Sequence, residues 1–406
     1  MKKVFNFSLR YIFYASLLIT FISGCKIQFS DAMQMGQVMP GAIDQTIEFI
    51  PVRGLIIIPV NIKGTEYRFL YDTGAPSAIS EAIQNKYGFK VVSTSDLTDA
   101  QGNKQKTKYV EIDTLRIQGI PFINTAAFVG NFENNPVLKC LKLDGIIGAN
   151  LMRYYTWQID LKNNKLRFTN QSINDICDSN HIFSSFNTDD QYSVLLDFKA
   201  DEIVVKNIKV DYGFNSWLSL PGNIFDEMEN KEVFKDVVVK VGTTTSGLFG
   251  KAQKHNTNIG VFATCSLNSL QIDNLEVQTG KSRLLGTRLL EKYLVTIDWN
   301  SKSICFGDPE KISIDELSTY GFSIGLSESN RIFFQSIIID GPAQLAGIEP
   351  DMIIDKLNDF SFEGESDFCN YVNDYKAVGD SVKLGYYDFG GVYQDTILVK
   401  KILFSN

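Results

Sequence analysis

From about Ile47 onward the chain is a succession of short apolar runs separated by Gly, Asn and charged residues, beginning with Leu55-Ile56-Ile57-Ile58-Pro59-Val60 and Tyr67 to Tyr71. Runs of this length, rich in Ile, Val and aromatic residues and bounded by turn formers, predict strands. Sustained helical periodicity is scarce. Short helices are expected at Ser80 to Tyr87, Leu151 to Tyr155 and Leu289 to Tyr293. Asn163-Asn164, between Trp157 to Leu161 and Lys165 to Phe168, predicts a hairpin turn, and Asn300-Ser301 occupies the same place later on.

This β pattern is duplicated. Asp72-Thr73-Gly74 and Asp211-Tyr212-Gly213 each follow an apolar strand, and each is followed at a similar distance by two aliphatic residues and a glycine. Gly148 of Ile146-Ile147-Gly148 stands 76 positions after Asp72, and Gly286 of Leu284-Leu285-Gly286 stands 75 after Asp211. From there the copies run without a gap: Leu151 matches Leu289, Tyr155 matches Tyr293, Ile159-Asp160 matches Ile297-Asp298, and Phe168 matches Phe306. A period of about 138 residues is too long for a solenoid and suits two lobes. An acidic residue repeated at a strand end suggests one site built from both halves.

Composition narrows the chemistry. The 406 residues are 44% hydrophobic and 21% charged, which is globular, and the net charge of −8 with no basic stripe argues against a nucleic-acid partner. His181 and His255 are the only histidines and lie far apart, so neither zinc chemistry nor a Ser-His relay is expected, and no cofactor or metal is called for. Lys2, Lys3 and Arg10 precede an apolar run from Tyr11 to Ile22 that reads as an export signal. It ends at Ile22-Ser23-Gly24-Cys25, which resembles a bacterial lipoprotein cleavage box. The plainer alternative is a signal or short anchor with an incidental cysteine. On the lipoprotein reading residues 1–24 are removed, Cys25 is lipidated, residues 25–44 are a flexible tether, and the protein sits in the bacterial cell envelope facing the periplasm or exterior. The remaining cysteines, Cys140, Cys177, Cys265, Cys305 and Cys369, are scattered singly and read mostly as small buried hydrophobes, Cys305 among them.

Phe69-Leu70-Tyr71-Asp72-Thr73-Gly74-Ala75, with Asp144-Gly145-Ile146-Ile147-Gly148 some seventy residues on, resembles the retropepsin-like aspartic proteases, and the duplication resembles a single-chain, two-lobed version. The resemblance covers roughly residues 45 to 307. It implies a mainly β fold, a two-lobed acid-protease-like β-barrel domain with lobes at 45–170 and 191–309 and a polar link at 171–190. It implies catalytic aspartates at Asp72 and Asp211, supported by Thr73, Gly74, Gly213, Ile146, Ile147, Gly148, Leu284, Leu285 and Gly286. Two carboxylates within hydrogen-bonding reach cannot both ionise cheaply, so the pair holds one proton and can work as base and acid together. Glycine after the Asp-x step lets backbone crowd the carboxylates. The family's mobile flap falls on Gln101, Gly102 and Asn103, with Gly247 in the equivalent part of the second copy; an ordinary exposed hairpin is the bland alternative.

The second copy departs from the family. Tyr212 stands where a short hydroxyl is expected to lock the lobes together, and Phe214 where a small residue is usual, so that its ring should crowd the site or line a pocket. Asp211 as a turn aspartate left over from duplication is therefore the competing reading. After Asp308-Pro309 the pattern changes again. Tyr320-Gly321-Phe322-Ser323, Gly341-Pro342-Ala343 and Ala346-Gly347-Ile348 resemble a small α+β PDZ domain at 314–402, in which Tyr320 to Ser323 would offer backbone N–H groups to a peptide. Pro350 running directly into Asp351 is a departure there. The leading expectation is an endopeptidase acting on polypeptide, monomeric and membrane-anchored. A catalytically inactive peptide-binding scaffold is the alternative, and a homodimer pairing Asp72 from two molecules is a third.

Overall fold

The computed structural model describes residues 27–243, 247–250, 254–313, 317–374 and 379–404. The export segment and Cys25 lie outside the described residues. Strands dominate, as the short apolar runs predict.

In the first half, Leu55–Ile62 and Thr65–Asp72 form an antiparallel hairpin. Its turn uses Lys63 and Gly64, both at positive φ, which matches the right-handed twist of the flanking strands. Gly145–Gly148 lies parallel to the second of these strands, with Gly148 opposite Asp72. The second half repeats the device, since Ile203–Val210 runs parallel to Leu284–Leu285 and Val210 sits opposite Leu285. The two copies meet in a six-stranded sheet in which Thr156–Asp160 and Leu294–Asp298, equivalent in the duplication, pair antiparallel with Trp157 opposite Ile297. Each strand ends in an aspartate whose Oδ1 accepts an N–H of the following turn, Asn163 from Asp160 and Asn300 from Asp298, both at 2.9 Å. Trp157, Phe168, Tyr71 and Tyr212 are fully buried in the core that spans the halves.

The first expected helix occurs as Glu81–Tyr87, whereas the other two begin and end earlier than expected, as Ala149–Met152 and Thr287–Leu290, leaving Tyr155 and Tyr293 outside them. Ser80 caps the first of these through Oγ, and Gly88 at φ 63° ends it.

Three expectations need correction. Residues 25–44 are not a bare tether: Phe29–Gln34 is helical with Ala32 and Met33 buried, and Gln37–Val38 pairs with the strand Ile120–Gly130. The polar link at 171–190 contains Ile173–Ile176 as a helix, and Ile182–Ser185 as a strand on Ser303–Gly307. Nor is Cys305 an inert hydrophobe. It is bonded to Cys177, and Cys140 is bonded to Cys369, leaving Cys265 as the free thiol among the described residues, and it is buried. Cys177, Cys305 and His181 are the one group among the described residues spaced to hold a metal ion, and its two sulfurs are tied to each other.

Beyond Pro309, Phe322–Leu326, Ile332–Ile338, Ile353–Leu357, Ser381–Tyr387 and Tyr393–Val399 form a further set of strands, with helices Pro342–Leu345 and Glu365–Asp374. This unit is joined to both halves. Its strand Ile332–Ile338 pairs with Phe234–Gly242 of the second half, Lys240 opposite Ile338. Its helix Glu365–Asp374 is held to the helix Pro136–Leu141 by the Cys140–Cys369 bond and by the Lys139–Glu365 ion pair, while Arg53 donates to the carbonyls of Tyr371 and Val372. A cross-link between residues so far apart in sequence restricts the unfolded chain strongly. Replacing Cys140 and Cys369 together by Ser is expected to lower stability by about 2–4 kcal/mol in a denaturant melt.

Candidate active site

Asp72 and Asp211 end their strands facing one another, and their carboxyls hydrogen-bond to each other. Each Oδ1 accepts the N–H two residues on, Gly74 for Asp72 and Gly213 for Asp211, both at 2.8 Å. The glycines are required by the opposite carboxyl. A methyl built on Gly74 would lie 2.4 Å from Asp211 Cγ, and one built on Gly213 would lie 2.4 Å from Asp72 Oδ2. Gly148 and Gly286 back the two loops, with methyls there meeting the Pro76 carbon at 2.3 Å and the Ser216 carbonyl at 2.2 Å. Ile146, Ile147, Leu284 and Leu285 are buried beneath, on the strands that run alongside.

The electrostatics divide the pair. Burial pushes Asp211 well above the ordinary carboxyl value of 3.8, and the charge of Asp72 pushes it further. Burial also raises Asp72, but the Gly74 N–H, the hydrogen bond from Asp211 and the Lys209 ammonium pull it back. Burial raises both carboxyls, and Asp211 the more because it faces the charge of Asp72, so the pair favours holding one proton between them. Because the folded state raises Asp211, stability is lost as pH climbs from the ordinary carboxyl value of 3.8 through its higher one. Asp211→Asn removes that loss. Its gain in melting temperature over wild type is expected to be larger at pH 8 than at pH 5 by scanning calorimetry.

One lock between the two halves is present, and its mate is missing among the described residues. Thr73 Oγ1 donates to the Val210 carbonyl at 2.6 Å and accepts the Tyr212 N–H at 3.2 Å. Tyr212 instead packs edge-on against Tyr71, ring centroids 5.8 Å apart, with both phenol oxygens buried and unpartnered. Thr73→Val would orphan a buried carbonyl and a buried N–H. A cost of about 2–3 kcal/mol is expected in a thermal melt, since a stranded buried polar group costs about 1–3 kcal/mol.

Above the carboxyls, the hairpin of Lys90–Thr98 and Lys104–Ile117 carries Gln101, Gly102 and Asn103 at its tip, with Gly102 at φ +79°. Asp99, buried, organises the tip: Oδ1 accepts the N–H groups of Gln101 and Asn103, and Oδ2 accepts Phe249 N–H at 3.2 Å from the second half. Gly247 touches the same carboxylate, where a methyl would lie 2.2 Å from Oδ2, and Asn135 Nδ2 donates to the Gly247 carbonyl at 2.9 Å. The two expected flap segments therefore meet, with Asp99 between them. Asp99 opens the turn that carries Gln101 to Asn103, and nothing else in the sequence marks it.

Lys209 was equally unmarked. It stands two residues before Asp211, where Leu70 stands before Asp72, and bonds the Gly74 carbonyl at 3.1 Å while pairing with Asp189 at 3.2 Å. It helps line a 320 Å³ cavity at the carboxyls with Asp211, Asp99 and Arg283. Phe214 lines the neighbouring 330 Å³ cavity. Of Tyr320, Gly321, Phe322 and Ser323, Ser323 lines the same 330 Å³ cavity as Gly213 and Phe214. The Gly321 N–H is taken by Thr319 Oγ1 at 3.0 Å, and Ser323 bonds Ser336 at 2.5 Å.

Against known proteins, a model of the aspartyl protease family matches residues 58–151, which include Asp72-Thr73-Gly74 and Ile146-Ile147-Gly148. The match supports an aspartyl protease domain of the retropepsin-like kind in the first half. Among curated proteins, none matches the chain.

Proposed function

We propose that the chain is a two-lobed, single-chain aspartic endopeptidase using Asp72 and Asp211 as its catalytic pair. The observation that carries this is reciprocal: each carboxyl rests against the glycine of the other Asp-x-Gly, and the two share a hydrogen bond. In the reaction Asp72 takes a proton from a bound water as its oxygen adds to the peptide carbonyl, and Asp211 gives its proton to the carbonyl oxygen. Collapse of the resulting diol breaks the C–N bond, with a proton passing to the leaving amine. The Lys209 charge lowers both carboxyls and so favours one negative charge on the pair, and the hairpin tip braced by Asp99 closes over the substrate and excludes water.

On this reading the strands and helices after Pro309 form a PDZ-like module that helps present polypeptide, and an export signal with lipidation at Cys25 anchors the enzyme in a bacterial envelope. It acts as a monomer, both acids coming from one chain. The test is to incubate the purified full chain with an unfolded polypeptide from acid to neutral pH and identify the fragments by mass spectrometry. Cleavage that a hydroxyl-bearing transition-state mimic suppresses supports the proposal, and no cleavage at any pH opposes it. The buried, unpartnered Tyr212 phenol favours a second reading, a peptide-binding protein whose second lobe has lost chemistry, for which tight binding without turnover is the expected result.

A further inference from the structure

The 330 Å³ cavity beside the carboxyl pair begins at Gly213, Phe214 and the flap residues Ala100 and Gln101, and it continues into a 280 Å³ cavity with which it shares Ser216, Lys240, Gln278 and Ser323. Lys240 stands at the junction of the two. The first cavity carries Lys240, Lys281 and His255 but no carboxylate, which is unusual in a chain with a net charge of −8. Hydroxyls and amides, Ser219, Thr257, Asn215 and Gln278 among them, share the rest of its wall with Phe214 and Leu284. Lys240 comes from a strand held on both sides, by Thr257–Phe262 and by Ile332–Ile338, so its side chain is presented from a rigid support. Among the described residues it forms no ion pair, and the carboxylate whose charge reaches it, Glu276, lines the second cavity rather than the first.

We infer that this cavity is a subsite for a carboxylate of the substrate, either an acidic side chain a few residues from the scissile bond or the chain's own C-terminus, received by Lys240 and the surrounding hydroxyl and amide groups. The inference rests on the peptidase reading and adds a specificity to it. Burial disfavours the charged form of Lys240, Glu276 opposes that, and an arriving carboxylate would oppose it further. A charge-assisted hydrogen bond formed in such a partly dry site contributes more than a neutral one. An amide of the same shape should therefore bind less tightly.

The test uses equilibrium binding, so that it does not depend on turnover. Fluorescein-labelled hexapeptide libraries, with Glu or Gln fixed at each position in turn and made as free acids and as amides, are titrated against full-chain Asp72→Asn by anisotropy. Expected is about tenfold tighter binding for Glu over Gln at one position, or for acid over amide, the difference corresponding to a charged hydrogen bond. Adding Lys240→Gln should erase that ratio and Lys240→Arg should keep it, which separates a charge contact from a folding effect. A position-specific Glu effect identifies a side-chain subsite, and an acid-over-amide effect identifies a C-terminal one. Binding indifferent to charge, or a preference that survives Lys240→Gln, overturns the inference while leaving the peptide cleft standing. No binding of any library overturns the inference and the peptidase reading together.

Discussion

Asp72→Asn is expected to retain the fold and lose about 10²–10⁴-fold in kcat for an unfolded polypeptide, the range general acid–base groups supply. The asparagine keeps an oxygen for the Gly74 N–H, so the loop geometry persists. It cannot accept the proton of the attacking water, because the amide has no basic oxygen at any working pH. Asp211→Asn should lose a similar factor for the opposite reason, as it leaves the carbonyl oxygen without a strong acid. Circular dichroism and melting curves beside the kinetics separate these losses from unfolding. Full activity in either variant would remove that residue from the chemistry.

Gly213→Ala is the second large effect, and it acts without touching an acid. Its methyl would need the space of Asp72 Oδ2, only 2.4 Å away, so the Asp72 carboxyl must rotate or the second loop must retreat. Either movement parts the two carboxyls. Misplacement by about 1 Å can cost about 10²-fold, and that loss is expected in kcat. Stability should move less than kcat, because Asp72 is only half-buried and its carboxyl can turn aside without unpacking the core. Gly74→Ala should behave alike through Asp211. A Gly213→Ala enzyme of normal kcat would mean that the glycine contact is incidental to the reaction.

Both aspartates could be read from the sequence because the requirement is local and repeated: a strand must end, a carboxyl must project, and backbone must pass close by without a side chain. The same holds for Gly148 and Gly286, and for the hairpins after Asp160 and Asp298, where a side chain bonds its own turn. Asp99, Lys209 and Lys240 were less legible. Asp99 acquires its role from Phe249 and Gly247, about 150 residues away, and Lys209 from Gly74 and Asp189. Lys240 matters only because the strand Ile332–Ile338 closes one side of its cavity. Disulfide partners followed the same rule. Cys140 and Cys369 are brought together by helix packing that no spacing announces, and they read as apolar residues until that packing is known. Tyr212 was legible as a departure, but its place against Tyr71, beside a lock that survives on one side only, depends on how the two loops nest.

The proposed chemistry requires two carboxyls holding one proton between them, and carboxyl NMR of the chain labelled with ¹³Cγ-aspartate measures this directly. The prediction is that one resonance, lost in Asp211→Asn, titrates well above the ordinary carboxyl value of 3.8, and that Asp72→Asn lowers it part of the way by removing the neighbouring charge while burial remains. If Asp211 instead titrates at the ordinary value and does not respond to the loss of Asp72, the two groups share no proton and the proposed chemistry fails.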